Sequence, residues 1–131
     1  MWWTLFGDSD KPDAFITATS PLLQNLHASP TAGDDGRPPY ARDSDARLAA
    51  LEAAGFKDTE HELVPWQARW DTHGIRTLYS TFSPIARLDE KRRATILDGV
   101  ARIAEEEFAG RVERTLLTSI YTARRPMSRE E

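Results

Sequence analysis

Residues 56–88 read FKDTEHELVPWQARWDTHGIRTLYSTFSPIARL, and the spacing of apolar side chains changes period inside that stretch. Glu60, Glu62, Val64 and Trp66 alternate with His61 and Leu63, the two-residue period of a strand, which Pro65 bends. From Asp71 or Thr72 onward, Ile75, Leu78, Tyr79 and Phe82 recur at helical spacing until Ser83-Pro84 breaks the pattern and PIARL turns onward. A strand over 56–70 that hands directly to a helix is α/β material.

On the C-terminal side, 89–108 carries Ile96, Leu97, Val100, Ile103, Ala104 and Phe108 as one apolar stripe, and Gly110 ends it. Glu105, Glu106 and Glu107 form a solvated face. Residues 114–124 alternate sizeable side chains on both faces, a strand stopped by Pro126, and 126–131 is a frayed tail behind a domain of 1–125. On the N-terminal side, Ser44 is the expected cap of a helix carrying Leu48 and Leu51 and stopped by Gly55. The Pro- and Gly-rich residues 28–42 read as a loop. Residues 13–26 place Phe15, Ile16, Leu22, Leu23 and Leu26 at near-helical spacing, but Pro21, Thr17 and Thr19 divide them into two short helical pieces. MWWTLF, from Met1 to Phe6, is a continuous apolar run expected to be a buried strand. Trp2 and Trp3 each need about 150–250 Å² of cover.

With 131 residues, 40% of them hydrophobic, the chain suffices for one soluble domain with an ordinary core. The absence of cysteine removes disulfides, thiolate zinc sites, iron–sulfur clusters and thiol nucleophiles together. A net charge of −4 argues against a dedicated nucleic-acid binder. No apolar stretch approaches the roughly 18–20 residues of a membrane span and no signal peptide is visible, so the cytoplasm is the default location.

His61-Glu62-Leu63-Val64-Pro65 begins like the zinc-protease HExxH motif, but Pro65 stands where the second histidine belongs. On a strand, Glu60 and Glu62 face away from His61, and His27, His61 and His73 form no i,i+4 pair, so no metal is expected. Nucleophile-elbow and phosphate-loop motifs are missing, and no Gly-x-Gly occurs in the chain. What remains is the aromatic and hydroxyl-rich run Trp66, Trp70, His73, Tyr79, Ser80, Thr81, Phe82 and Ser83. Such a stripe is ordinarily packing. Its functional reading is a lid over a small apolar substrate, with Trp66 and Trp70 lining it. Arg76 either clamps an acidic group or pairs with Asp71. A cofactor-free enzyme with His73 or Asp71 as base is a further reading.

The runs MWWTLFGD, AAGF, VPWQARWDTHGIRTLYSTFSPIARL and RVERTLLTSIYTARRP together resemble the C-terminal half of class I S-adenosylmethionine-dependent methyltransferases of the bacterial small-molecule type. The resemblance covers nearly the whole chain. It implies half of a Rossmann-like sheet in the order strand, helix, strand, helices, strand, with the last two strands antiparallel. Residues 1–6 would then be the fifth strand of the fold, 60–70 the sixth and 114–124 the seventh. The substrate lid would fall on Trp66, Trp70, Tyr79, Ser80 and Ser83. The family's acidic-x-Gly-x-Gly-x-Gly donor loop has no counterpart here, so S-adenosylmethionine is implied as cofactor but not expected to bind this chain alone. A chain of this kind is expected to be inactive by itself. The alternative is a non-catalytic module that pairs with itself, or completes a partner's sheet, through the strand between Met1 and Phe6.

Overall fold

The computed structural model describes residues 1–26, 33 and 36–127. His27, most of the 28–35 stretch of the expected loop and the end of the expected tail lie outside them. The described elements are β1 (Trp2–Leu5), α1 (Ala14–Leu23), a 3₁₀ turn (Tyr40–Arg42), α2 (Ser44–Ala53), β2 (Lys57–Trp70), α3 (Thr72–Ser80), α4 (Ser83–Ala86), α5 (Glu90–Phe108) and β3 (Val112–Arg124). The protein is α/β, with one three-stranded sheet among the described residues in the order β1-β3-β2. β1 runs antiparallel to β3, with Trp2 opposite Ile120 and Leu5 opposite Leu117. β2 is antiparallel to β3 as well: Asp58 pairs with Arg124 near one end of the strands and Arg69 with Glu113 near the other.

Four aspartates set the helix starts. The carboxylates of Asp13, Asp43, Asp71 and Asp89 accept the backbone N–H of Ile16, Ala46, Gly74 and Arg92, each satisfying a donor that the first helical turn leaves open. Asp43, not Ser44, therefore caps α2, and Ser44 is its first helical residue. The two pieces expected over 13–26 are one helix. Pro21 lies in its last turn, and Phe15 and Thr19 are buried on it. Only one intrahelical bond is lost to the proline there, too little to break a helix held by its packed face. Ser83-Pro84 interrupts α3 as expected but also opens α4, because a proline in the first helical turn lacks only an N–H that would have no helical partner. At the end of α5 the left-handed residue next to the helix is Ala109 (φ 53°), followed by Gly110 (φ 69°).

The chain divides into two compact units. One comprises Met1–Leu5, Pro30–Trp66 and Leu117–Glu131. There Trp3 packs edge-on against Tyr40 and Tyr121, while Leu117, Ser119 and Tyr121 supply the buried face of β3. β1 has one strand neighbour, and Trp2 is 73% exposed. The expectation of a fully buried first strand is thus corrected: an edge strand with a single neighbour leaves its outer Trp uncovered. Pro65 is tolerated because β2 is the other edge strand, where a missing N–H need not break a ladder.

The second unit comprises Phe6–Ser29 and Gln67–Leu116. Its core gathers Phe15, Ile75, Tyr79, Ile85, Leu97, Val100, Ala104 and Val112 from α1, α3, α4, α5 and the start of β3. Gly99 lets α1 and α5 approach, since a Cβ there would meet Leu22 Cδ1 at 2.9 Å. β3 begins two residues before the expected 114, and its buried residues here are Val112, Arg114 and Leu116. Along the strand, the parity of burial changes between Leu116 and Leu117, so side chains of both alternations are packed.

Candidate functional site

A charged side chain sits in the interior of the second unit. Arg114 is 2% exposed, and each of its three guanidinium nitrogens has a protein partner. Nε donates to Asp13 Oδ2 at 2.7 Å, Nη1 to the Tyr79 hydroxyl at 2.9 Å and Nη2 to the Phe6 carbonyl at 2.7 Å. Asp13 divides its carboxylate, with Oδ1 capping α1 and Oδ2 answering the guanidinium. A buried ion survives only when paired and hydrogen-bonded in this way.

Arg114, Tyr79 and Phe6 also line an open cleft of about 380 Å³. Phe6, Ile16, Leu23 and Phe82 form its apolar wall, and Thr19, Ser20, Gln24, Tyr79 and Arg114 its polar lining. The rings are in contact: Phe82 lies 4.9 Å from Tyr79 and 5.5 Å from Phe6, centroid to centroid. The Thr19 hydroxyl donates to Phe15 O at 2.8 Å. Burial pushes the Tyr79 phenol above its ordinary pKa; Asp13 adds to that rise, while Arg114 and Thr19 oppose it. At neutral pH the phenol keeps its proton. A largely apolar cleft lined by a few polar groups is the usual form of a small-molecule site.

Of the lid residues expected from the sequence, Tyr79 lines this cleft. Trp70 packs against the core of the same unit and lines a different cleft, about 470 Å³, together with Arg69, Asp71, Gly110, Arg111 and Glu113. Trp66 is 44% exposed and belongs to the other unit, where its Nε1 donates to Thr118 Oγ1 at 2.9 Å. Ser80 donates to the Thr77 carbonyl within its own helix, and Ser83 is an exposed residue at the start of α4. Arg76 pairs with Asp98 at 3.0 Å, not with Asp71, because the Asp71 carboxylate is taken up in capping α3.

Two features escaped the sequence. Arg114 was readable only as a strand end while the strand was taken to start there; the parity of Val112, Arg114 and Leu116 places an arginine on a buried face. The second is a serine–histidine contact, His61 Nε2 to Ser119 Oγ at 2.7 Å. Ser119 gives its proton to Ala41 O at 2.6 Å, so it accepts from the imidazole and has no proton for His61 to remove. Tyr121 also donates to Ala41 O, at 2.6 Å, and the contact fastens the 3₁₀ turn to β3.

Among the described residues no group of three His, Asp or Glu side chains is placed to hold a metal ion. None of the described helices is long and apolar enough to cross a membrane. A Cβ at Gly7, after β1, would overlap Ile16 and lie 3.1 Å from Arg114 Nη2. After β2, the Asp71 carboxylate caps α3. No family model matches the chain, and no curated protein matches it.

Proposed function

We propose that the chain is the acceptor-side portion of an S-adenosylmethionine-dependent methyltransferase of the cytoplasm, seating a small molecule and relying on other residues for the methyl donor. The observation that carries the reading is the cleft at Tyr79. The residue assigned to a substrate lid by resemblance lines an apolar cleft together with a buried, fully partnered arginine. The antiparallel run of β2 beside β3 agrees with the final strand pair that the resemblance implies. What this chain's own residues do is bind and orient the acceptor. Holding reactants in place supplies roughly 7–11 kcal/mol of such a barrier, and a chain that holds one of two reactants forgoes that gain. Isothermal titration of the chain with S-adenosylmethionine tests this division of labour. No saturable heat is expected at micromolar ligand, and a micromolar dissociation constant contradicts it.

A second reading is favoured by one observation, the exposed edge of β1. Residues 1–6 contain no charged side chain and no proline, the usual guards of an edge strand, and Trp2 stands 73% exposed on it. In this reading the chain is a non-catalytic module that associates by strand pairing.

A further inference from the structure

β1 turns one side of its backbone to β3, and its other side has no strand neighbour among the described residues. Met1 N donates to Tyr121 O at 2.9 Å and Tyr121 N to Met1 O at 2.8 Å, so these two residues exchange both of their backbone bonds. In an antiparallel ladder such pairs alternate with pairs that make none, and the register carries the exchange on to Trp3 with Ser119 and Leu5 with Leu117. Trp2 and Thr4, opposite Ile120 and Thr118, are the residues between, and their N–H and C=O groups point to the free edge. Thr4 Oγ1 lies 3.1 Å from Thr118 Oγ1, in keeping with the closer side chains of a pair without backbone bonds. Trp2 projects from the same face as Thr4 and is 73% exposed. No side chain in residues 1–6 is charged, and the Met1 ammonium is turned inward to Tyr121.

From this pattern, and resting on the reading that the chain associates by strand pairing, we propose that the partner is a second copy of this chain, joined β1 to antiparallel β1 about a two-fold axis at Trp3. Trp2 pairs with Thr4 of the second copy, and Thr4 with its Trp2, so every outward N–H and C=O of the two residues is bonded and two three-stranded sheets become one. Trp2 then stands across from a threonine, whose short side chain leaves it room. An axis at Trp2 or at Thr4 would instead set like against like and leave one outward residue of Trp2–Leu5 without a partner in the strand. A neutral edge suits a neutral edge, because two copies meet there without opposing like charges.

The test is made on the full chain in solution. Sedimentation equilibrium at micromolar concentration is expected to show a dimer. A sample mixing isotope-labelled and unlabelled chains is expected to give an intermolecular NOE between Trp3 α-protons, because at the axis the two Trp3 Cα atoms lie about 4.5 Å apart. Thr4→Pro removes an outward N–H that β3 does not use and is expected to raise the dimer dissociation constant about 10-fold or more, the loss of two interchain hydrogen bonds. Thr4→Val keeps that N–H and stays dimeric. Should Thr4→Pro fail to fold, the wild-type NOE decides without it. A dimer whose intermolecular α-proton contacts join Trp3 to Met1 or to Leu5 overturns the proposed axis and leaves strand pairing standing. A wild-type monomer overturns this proposal and the strand-pairing reading together.

Discussion

Arg114 is the residue on which the site depends, because it is at once a buried charge, the anchor of Tyr79 and the partner of an N-cap. Removing one member of a buried pair leaves the other uncompensated, a loss of about 3–5 kcal/mol. Arg114→Ala is accordingly expected to lower unfolding free energy by about that much in urea titration, whereas Arg69→Ala, at an exposed pair, changes it by less than about 1 kcal/mol. Tyr79 gives the chain a pH signature. Its folded pKa is raised, so between the ordinary value near 10 and the folded value the native state binds more protons than the unfolded one, and stability falls as pH rises. Its contribution is fully present below the ordinary value. Urea midpoints measured from neutral pH into the alkaline range should decline more steeply for the wild type than for Tyr79→Phe; parallel curves would contradict the assignment. Gly7 holds φ 129°, where an added Cβ overlaps Ile16, and Gly7→Ala is expected to cost about 1–3 kcal/mol by the same titration. At this scale the aromatic, hydroxyl-bearing helix that carries Tyr79 was legible in the sequence. Arg114 was not, since a buried ion depends on Asp13, 101 residues away in sequence, and no local pattern reports that partner.

The elements were legible where their signals are local. Polar cap candidates (Ser44, one residue late, then Asp71 and Asp89) and glycine or proline stops marked α2, α3 and α5 to within a residue or two, and the two-residue alternation marked β2 and β3. Where a local rule met tertiary packing, packing prevailed: Pro21 did not divide α1, because its face against the core outweighs one lost hydrogen bond. Strand order lay beyond the sequence. That β3, last in the chain, sits between β1 and β2 is a matter of long-range pairing, and with it went the exposure of Trp2. An uncharged edge invites another strand. If β1 pairs with a second copy, sedimentation equilibrium at micromolar concentration gives a dimer for the wild type and a monomer for Trp2→Lys. A wild-type monomer removes the strand-pairing reading.

For the molecule as a whole, α/β character and the absence of a Gly-x-Gly loop were already plain in the sequence, and the structure adds a cleft whose polar end is built from residues far apart in the chain. In the function proposed above, the chain serves acceptor binding and does not bind the methyl donor by itself. That proposal is tested most directly by fusing the chain behind the donor-binding portion of a small-molecule methyltransferase and measuring transfer of labelled methyl from S-adenosylmethionine to a panel of small-molecule acceptors. The fusion should form labelled product while the chain alone forms none. A fusion that binds the donor yet labels no acceptor, or a chain that transfers the methyl group unaided, would contradict it.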